Sequence, residues 1–229
     1  MPIAELLDIT KDYLQPATGN MTRVLDHISL SIAADEALAI TGPSGSGKTT
    51  LLNILGTLDR PTSGKVCMDG KDVEQMNEKQ KASFRNRFTG FIFQQHLLLP
   101  QLTVLENVLL PVMPVKEKKY QEEARERALQ LIERTGLKDH LFTYPARLSV
   151  GECQRTAVVR ALINRPRLIL ADEPTGSLDA RNAAIMTELL VELRETYGYA
   201  LIIVTHDPEV ARRMKVHYRL FNGKLHPTM

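Results

Sequence analysis

Three stretches of the chain are continuously apolar: Ala37-Leu38-Ala39-Ile40, Leu168-Ile169-Leu170-Ala171 and Ala200-Leu201-Ile202-Ile203-Val204. A strand with one face in water alternates apolar and polar positions, whereas a strand covered by helices on both faces has no polar side to show. The three runs therefore predict buried strands of a parallel α/β sheet. Ile28, Leu30 and Ile32 instead alternate with polar neighbours in HISLSI, which predicts a half-exposed strand of a smaller antiparallel sheet near the N-terminus. Turn-forming residues at 61–64 and at Asp69-Gly70 bracket another short strand over 65–68.

Between the first and second apolar runs the period changes. Ala124, Ala128, Leu131 and Ile132 fall at i, i+4, i+7 and i+8, predicting an amphipathic helix through EEARERALQLIERTG that ends at Gly136. Thr103 with Glu106, and Ser149 with Glu152, have capping-box spacing, in which a hydroxyl and a carboxylate satisfy free N–H groups of a first helical turn. The whole chain, 1–229, reads as one domain: an α/β core from 1–94 and 161–229, with 95–160 inserted as a helical lobe. The charged run 116–119 reads as a solvated face.

Composition narrows the partners. With 43% hydrophobic residues in 229, the chain can bury a sizeable core. Its 29 basic and 27 acidic side chains leave a formal charge of +2, which gives no electrostatic footprint for nucleic acid. Cys67 and Cys153 lack disulfide-framework or zinc spacing and are expected to be reduced thiols in the cytosol. Glu5 and Asp8 stand where a signal peptide needs a basic start and an apolar run, so the chain is expected to be neither secreted nor membrane-spanning by itself.

The strongest chemical signal is GPSGSGKTT, directly after the first core strand. It matches G-x-x-x-x-G-K-[ST] at Gly42, Gly47, Lys48 and Thr49, with Pro43, Ser44, Gly45 and Ser46 forming the loop and Thr50 opening a helix over 50–55. Glycines let successive N–H groups curl toward phosphate oxygens, and the helix adds the positive end of its dipole. Lys48 is expected to reach the β- and γ-phosphates, and Thr49 to ligate Mg²⁺.

Asp172 and Glu173 leave the second core strand in LILADEP. Adjacent carboxylates at a buried strand end are costly unless something cationic neutralises them. A magnesium nucleotide does so, with Asp172 on the metal side and Glu173 as general base or water-orienting group. His206 ends the third core strand in IIVTHD; parallel sheets place ligands at the carboxyl ends of their strands, which puts His206 beside the γ-phosphate. Gln94, in GFIFQQHLLLP, lies where core meets insert, and its amide suits either sensing the metal and attacking water or capping a turn.

In their joint order these features resemble the ATPase subunits of ABC transporters, over essentially the whole chain. GPSGSGKTT resembles Walker A, LILADEP Walker B, Gln94 the Q-loop, Gly176-Ser177-Leu178-Asp179 the D-loop, His206 the switch histidine and LSVGE the LSGGQ signature. The resemblance implies an α/β fold: a RecA-like P-loop NTPase core of the ABC ATPase type, a small antiparallel β lobe and the inserted helical lobe. It implies that Tyr13 stacks on adenine. It also implies that Ser149, Gly151 and Glu152, together with Asp179, meet nucleotide held mainly by a second copy of the chain, two ATP molecules being sandwiched about a two-fold axis.

Two signature positions depart from the pattern: Val150 replaces glycine, and Glu152 replaces glutamine. Valine excludes positive φ and requires locally helical or extended backbone. Cys153 also stands where glutamine or arginine is usual. LGTLDRPTSGKV and RNRFTGFIFQQHLLLPQLTVLENVLLP look most like the bacterial group of lipoprotein-releasing and macrolide-exporting systems. In that group the ATPase works at the cytoplasmic face of the inner membrane, driving a transmembrane subunit with a periplasmic domain. Mg²⁺-dependent ATP hydrolysis coupled to such a partner is the expected function. The alternatives are a soluble ABC-type ATPase acting on DNA or ribosomes, and a regulatory subunit that binds ATP but hydrolyses it weakly.

Overall fold

The three apolar runs are neighbouring strands in one sheet. In the computed structural model, which describes residues 2–15 and 19–228, the chain runs β1 (Ala4–Leu14), β2 (Met21–Ile32), β3 (Ala37–Thr41), α1 (Lys48–Leu55), β4 (Ser63–Met68), β5 (Lys71–Asp72), α2 (Glu78–Phe88) and β6 (Thr89–Ile92). It continues through α3 (Val104–Leu109), α4 (Lys118–Arg134), α5 (Val150–Leu162), β7 (Leu168–Asp172), α6 (Ala180–Tyr197), β8 (Ala200–Val204), α7 (Pro208–Arg212), β9 (Val216–Phe221) and β10 (Lys224–Thr228). A six-stranded sheet has the order β10-β9-β3-β8-β7-β6, and a four-stranded sheet the order β2-β1-β4-β5. The larger sheet is parallel except for β9 with β10, and the smaller is antiparallel throughout.

Alternate residues of each apolar run serve different cores. Ala39, Ile169, Ala171, Leu201 and Ile203 join the cluster built with α3 to α6, whereas Leu38, Ile40, Leu168, Leu170, Ile202 and Val204 face α1 and the antiparallel sheet. This is why no polar position interrupts them. In β2 the alternation seen at 28–32 is equally direct: Ile28, Leu30 and Ile32 are buried while the residues between them are exposed.

Three core strands escaped the hydrophobic pattern. β6, β9 and β10 flank the apolar strands at the sheet's two ends, where half-buried Phe91, Val216 and Tyr218 suffice to cover them. The strand expected over 65–68 starts two residues earlier because Ser63 still pairs with Thr10, and Gly64, at φ +96°, takes up the register shift between that pair and Lys65–Leu7; a side chain there would meet the Leu7 and Asp8 carbonyls. The helix expected over 50–55 begins at Lys48, and the amphipathic helix begins at Lys118 with its apolar stripe, Ala124, Ala128, Leu131 and Ile132, buried as predicted. Residues 116–119 are exposed. Both predicted capping boxes form, at Thr103 with Glu106 and at Ser149 with Glu152.

The C-terminal end of α5 is fixed to β6 by a close backbone approach. At Gly90 in β6 an added Cβ would stand 2.3 Å from the Ala161 carbonyl oxygen of α5 and 2.5 Å from Ile169 Cδ1. Overpacking against a backbone atom cannot be relieved by a rotamer change. Gly90→Ala is expected to lower stability by about 1–3 kcal/mol, read as a lower midpoint in urea unfolding followed by circular dichroism.

Candidate functional site

Parallel pairing brings four strand ends to one edge. Ile40 pairs with Val204, Asp172 with Val204 and Ile92 with Ala171, so β3, β8, β7 and β6 finish nearly flush. Beyond them follow the Gly42 loop, Thr205 and His206, Glu173, and Phe93 with Gln94.

The loop between β3 and α1 requires its glycines. Gly42, Gly45 and Gly47 have φ of +154°, +76° and +101°, and a Cβ on Gly42 would lie 2.3 Å from the Leu220 carbonyl oxygen. Pro43, Ser44 and Gly45 are exposed at its tip. Lys48 is buried, and its Nζ donates to the carbonyls of Gly42 (2.9 Å) and Pro43 (3.0 Å), which holds the ammonium inside the curve of the loop. Gly47 gives α1 no side-chain cap, so the first-turn N–H groups stay available to an anion. Ser46 Oγ is buried without a partner in the same loop. A buried hydroxyl is normally satisfied, so its missing acceptor or donor fits a phosphate oxygen.

Thr49 Oγ1 donates to Asp172 Oδ2 at 2.9 Å. Burial pushes the Asp172 carboxyl up from its ordinary value; the charge of Glu173 adds to this, while the Thr49 hydrogen bond and Lys48 oppose it. Glu173 leaves the strand in a left-handed conformation, φ 46°, which for a residue with a Cβ costs about 1–3 kcal/mol. Its N–H is tied to the Val204 carbonyl at 2.9 Å. Its carboxylate accepts from Thr205 Oγ1 (3.1 Å) and the His206 N–H (3.3 Å), and Oε1 lies 2.8 Å from His206 Nδ1. Glu173 and His206 thus form one hydrogen-bonded pair.

Tyr13 reaches the same region from the antiparallel sheet. Its hydroxyl donates to Asp59 Oδ2 at 2.6 Å, Asp59 also accepts from Lys11 at 2.7 Å, and the ring is 40% exposed. Burial and the Asp59 carboxylate push its phenol up; an opposing hydrogen bond with Thr50 places it beside α1. Gln94 packs on the residues after β7: a Cβ on Gly176 would be 3.0 Å from its Nε2, and Ser177 Oγ donates to its carbonyl at 3.2 Å.

Ser149, Gly151 and Glu152 stand apart from the strand-end group and bond to their own helical turn. Glu152 Oε2 accepts from the Ser149 N–H and Oγ–H, both at 2.8 Å, and these bonds hold its carboxyl below the ordinary range. Val150 is the first residue of α5, helical and half exposed, as a β-branched residue at that position requires. Asp179 caps α6 by accepting from the Asn182 N–H at 2.9 Å, and Asn182 Oδ1 lies 3.9 Å from where a Cβ on Gly151 would stand. Cys153 finds a reason in packing: its thiol is buried with Leu98 and Ala157, and burial pushes its pKa up. Sequence reasoning missed Lys11 and Asp59, whose partners lie about fifty residues away in the chain, and Thr205, whose place at a core strand end was a usable signal.

A family model described as ABC transporter matches residues 25–176. The chain is 48% identical over 204 residues to the lipoprotein-releasing system ATP-binding protein LolD of Shewanella oneidensis, covering 89% of this chain and 88% of that protein. This chain belongs to the ABC transporter family. It is likewise 47% identical to LolD of Shewanella sp. (strain MR-4), covering 89% of this chain and 87% of that one. Among solved structures, the ATP-binding cassette MJ0796 in a dimeric post-hydrolysis state bound to ADP and Pi superposes with a TM-score of 0.88 at 38% identity, covering 97% of this chain and 96% of the other. The cbiO1 subunit from Clostridium perfringens, part of the ABC transporter complex cbiONQ, gives 0.84 at 26% identity, with 98% and 86% covered. As an ABC transporter protein the chain is an ATP-binding, ATP-hydrolysing subunit with the mixed α/β fold of those cassettes. Among the described residues no helix is long and apolar enough to cross a membrane.

Because the folded-state pKa of Asp172 is raised, the folded chain holds that proton more tightly than the unfolded chain does. The associated stabilisation is present at acid pH and is lost as pH rises through the folded pKa. Asp172→Asn is therefore expected to raise the thermal midpoint of the ligand-free chain at pH 7.5, by an amount that shrinks toward pH 4, while ATP turnover falls. Scanning calorimetry across that range, paired with a phosphate-release assay, checks both halves.

Proposed function

We propose that the chain is the ATPase subunit of a lipoprotein-releasing type of ABC transporter, working as a homodimer at the cytoplasmic face of the inner membrane on a transmembrane subunit with a periplasmic domain. Hydrolysis of ATP then does mechanical work on that subunit. The observation that carries the reading is the strand-end group: Lys48 curled into its loop, Thr49 on Asp172, and Glu173 paired with His206, all on one sheet edge. The 47–48% identity to LolD supports lipoprotein release over macrolide export as the task. The dimeric relative bound to ADP and Pi supports the sandwich.

In this reading residues 42–50 bind the phosphates through backbone N–H groups, the Lys48 ammonium and the α1 dipole. The exposed face of Tyr13 takes the adenine ring. The Thr49 hydroxyl and Asp172 carboxylate are a hard oxygen pair and fit Mg²⁺, which keeps most of its ligands from water and phosphate; when bound it neutralises phosphate charge. Glu173 orients the attacking water and accepts its proton, held in place by Thr205 and His206. His206 and Gln94 face the γ-phosphate side, Gln94 at the junction of the core and the helical lobe of 95–160. The reaction is an in-line transfer to water that needs positioning and charge stabilisation, with no covalent intermediate. Ser149, Gly151 and Glu152, with Asp179, serve the nucleotide of the partner copy.

The transmembrane subunit docks in a groove of about 990 Å³ between the sheet edge and the insert, walled by Ala82, Phe91, Phe93, Leu97, Pro111 and Arg160. Its apolar floor and the nearby Gln94 suit a short cytoplasmic helix whose movement reaches the nucleotide.

Glu173→Gln is expected to keep ATP binding and lose on the order of 10²–10⁴-fold in turnover, the range for removal of a general base. A variant that still hydrolyses ATP at the wild-type rate removes Glu173 from this role. Affinity capture with tagged Glu173→Gln from solubilised native membranes, with and without ATP, is expected to recover a polytopic membrane protein in nucleotide-dependent amounts. Adding Leu97→Glu is expected to abolish that recovery without changing ATP binding.

A further inference from the structure

Glu152 brings a carboxylate into the very turn that, on the reading above, offers Ser149 and Gly151 to a γ-phosphate. An acid in a first helical turn suits the dipole but repels an incoming phosphate. The structure shows what restrains it. Oε2 is occupied by the Ser149 N–H and Oγ–H at 2.8 Å each, and Oε1 lies 3.2 Å from Nε2 of His140. Ser149 Oγ in turn accepts the Glu152 N–H at 3.3 Å. Arg155, one turn further along α5, places a positive charge near the carboxylate.

His140 is itself firmly placed. It ends the 3₁₀ turn Lys138–His140, which follows fully buried Leu137. The segment is then stitched to the start of α3, where the Val104 and Leu105 N–H groups donate to the Thr143 and Leu141 carbonyls at 3.0 and 3.1 Å. The imidazole therefore approaches Glu152 from a second, independently anchored element.

We propose that His140 is a positioning residue for the signature turn. By holding Oε1 it keeps the Glu152 carboxylate folded back on Ser149 and off the face offered to the partner copy's γ-phosphate. This inference rests on the sandwich reading. Without His140 the carboxylate is tethered at one oxygen only and swings toward the phosphate, weakening nucleotide capture more than the chemical step.

The test is an ATP titration of steady-state hydrolysis with the purified full chain. His140→Ala is expected to raise KM by about 2- to 5-fold, the effect of losing one close polar contact to a carboxylate at a partly exposed site, with kcat within about twofold. His140→Gln, which restores a donor, is expected to recover most of the loss. In a Glu152→Gln background, where there is no carboxylate to restrain, His140→Ala is expected to change KM by less than about 1.5-fold, since the two effects are coupled. An equal rise in both backgrounds, or no rise in either, overturns the proposal. Ser149→Ala separates the two levels of argument. If it leaves KM unchanged, the signature turn does not meet nucleotide and the sandwich reading fails; if it raises KM while His140→Ala does not, only the role of His140 fails.

Discussion

Everything in the site depends on parallel strand register. A slip of one residue between β7 and β8 would turn Asp172 to the opposite face of the sheet and separate Glu173 from Thr205 and His206, because side chains alternate with period two. The register is enforced from both sides. Each core strand sends alternate apolar residues into two different hydrophobic clusters, so a slipped strand would still be apolar on both faces but mismatched in shape against α1 on one side and α3 to α6 on the other. In β3 the two faces differ plainly in volume, with Ala37 and Ala39 on one and Leu38 and Ile40 on the other. Close packing makes such volume differences decisive.

The same edge is where the fold is least comfortable. Asp172 and Glu173 place adjacent carboxylates at the end of buried strands, one with its pKa raised by burial and the other on a left-handed backbone. Thr49, Thr205 and His206 offset this only in part, by hydrogen bonds to the two acids. An arrangement that is costly for the isolated chain fits the proposed site, where a divalent cation arriving with the nucleotide would offset the carboxylate charge. Stability and function are set against each other at Asp172 in particular.

Much of this was legible in the sequence because the relevant signals are local. The loop glycines, Lys48 and Thr49 are contiguous; Asp172, Glu173 and His206 follow directly on apolar runs; and capping-box spacing located the starts of α3 and α5. What stayed hidden is non-local or weakly apolar. β6 is only four residues long and includes Gly90, β9 and β10 are largely half-buried or exposed, and none of the three carries a long hydrophobic run. The Lys11–Asp59–Tyr13 cluster and the His140–Glu152 contact join residues whose proximity only the tertiary fold creates. Cys153 had no explanation until Leu98 and Ala157 appeared around it.

The segment after β6 ties these parts together, and its attachments indicate how force could pass through the molecule. Almost every carbonyl from 93 to 97 is held by a side chain of another element. Gln154 Nε2 donates to Phe93 at 2.9 Å, Ser177 Oγ to Gln94 at 3.2 Å, and the Arg160 guanidinium forks onto His96 and Leu97 at 2.7 Å each. Gln154 and Arg160 both belong to α5, the helix that Ser149 and Glu152 begin. Arg160 is also part of the groove wall. A load on Leu97 in the groove therefore bears on the shaft of α5 through a planar, two-point clamp, and on the residues after β7 through Ser177. Two-point attachment resists rotation where a single hydrogen bond would swivel. On the docking proposed above, a displacement in the groove would be passed to α5 and not taken up by the loop alone.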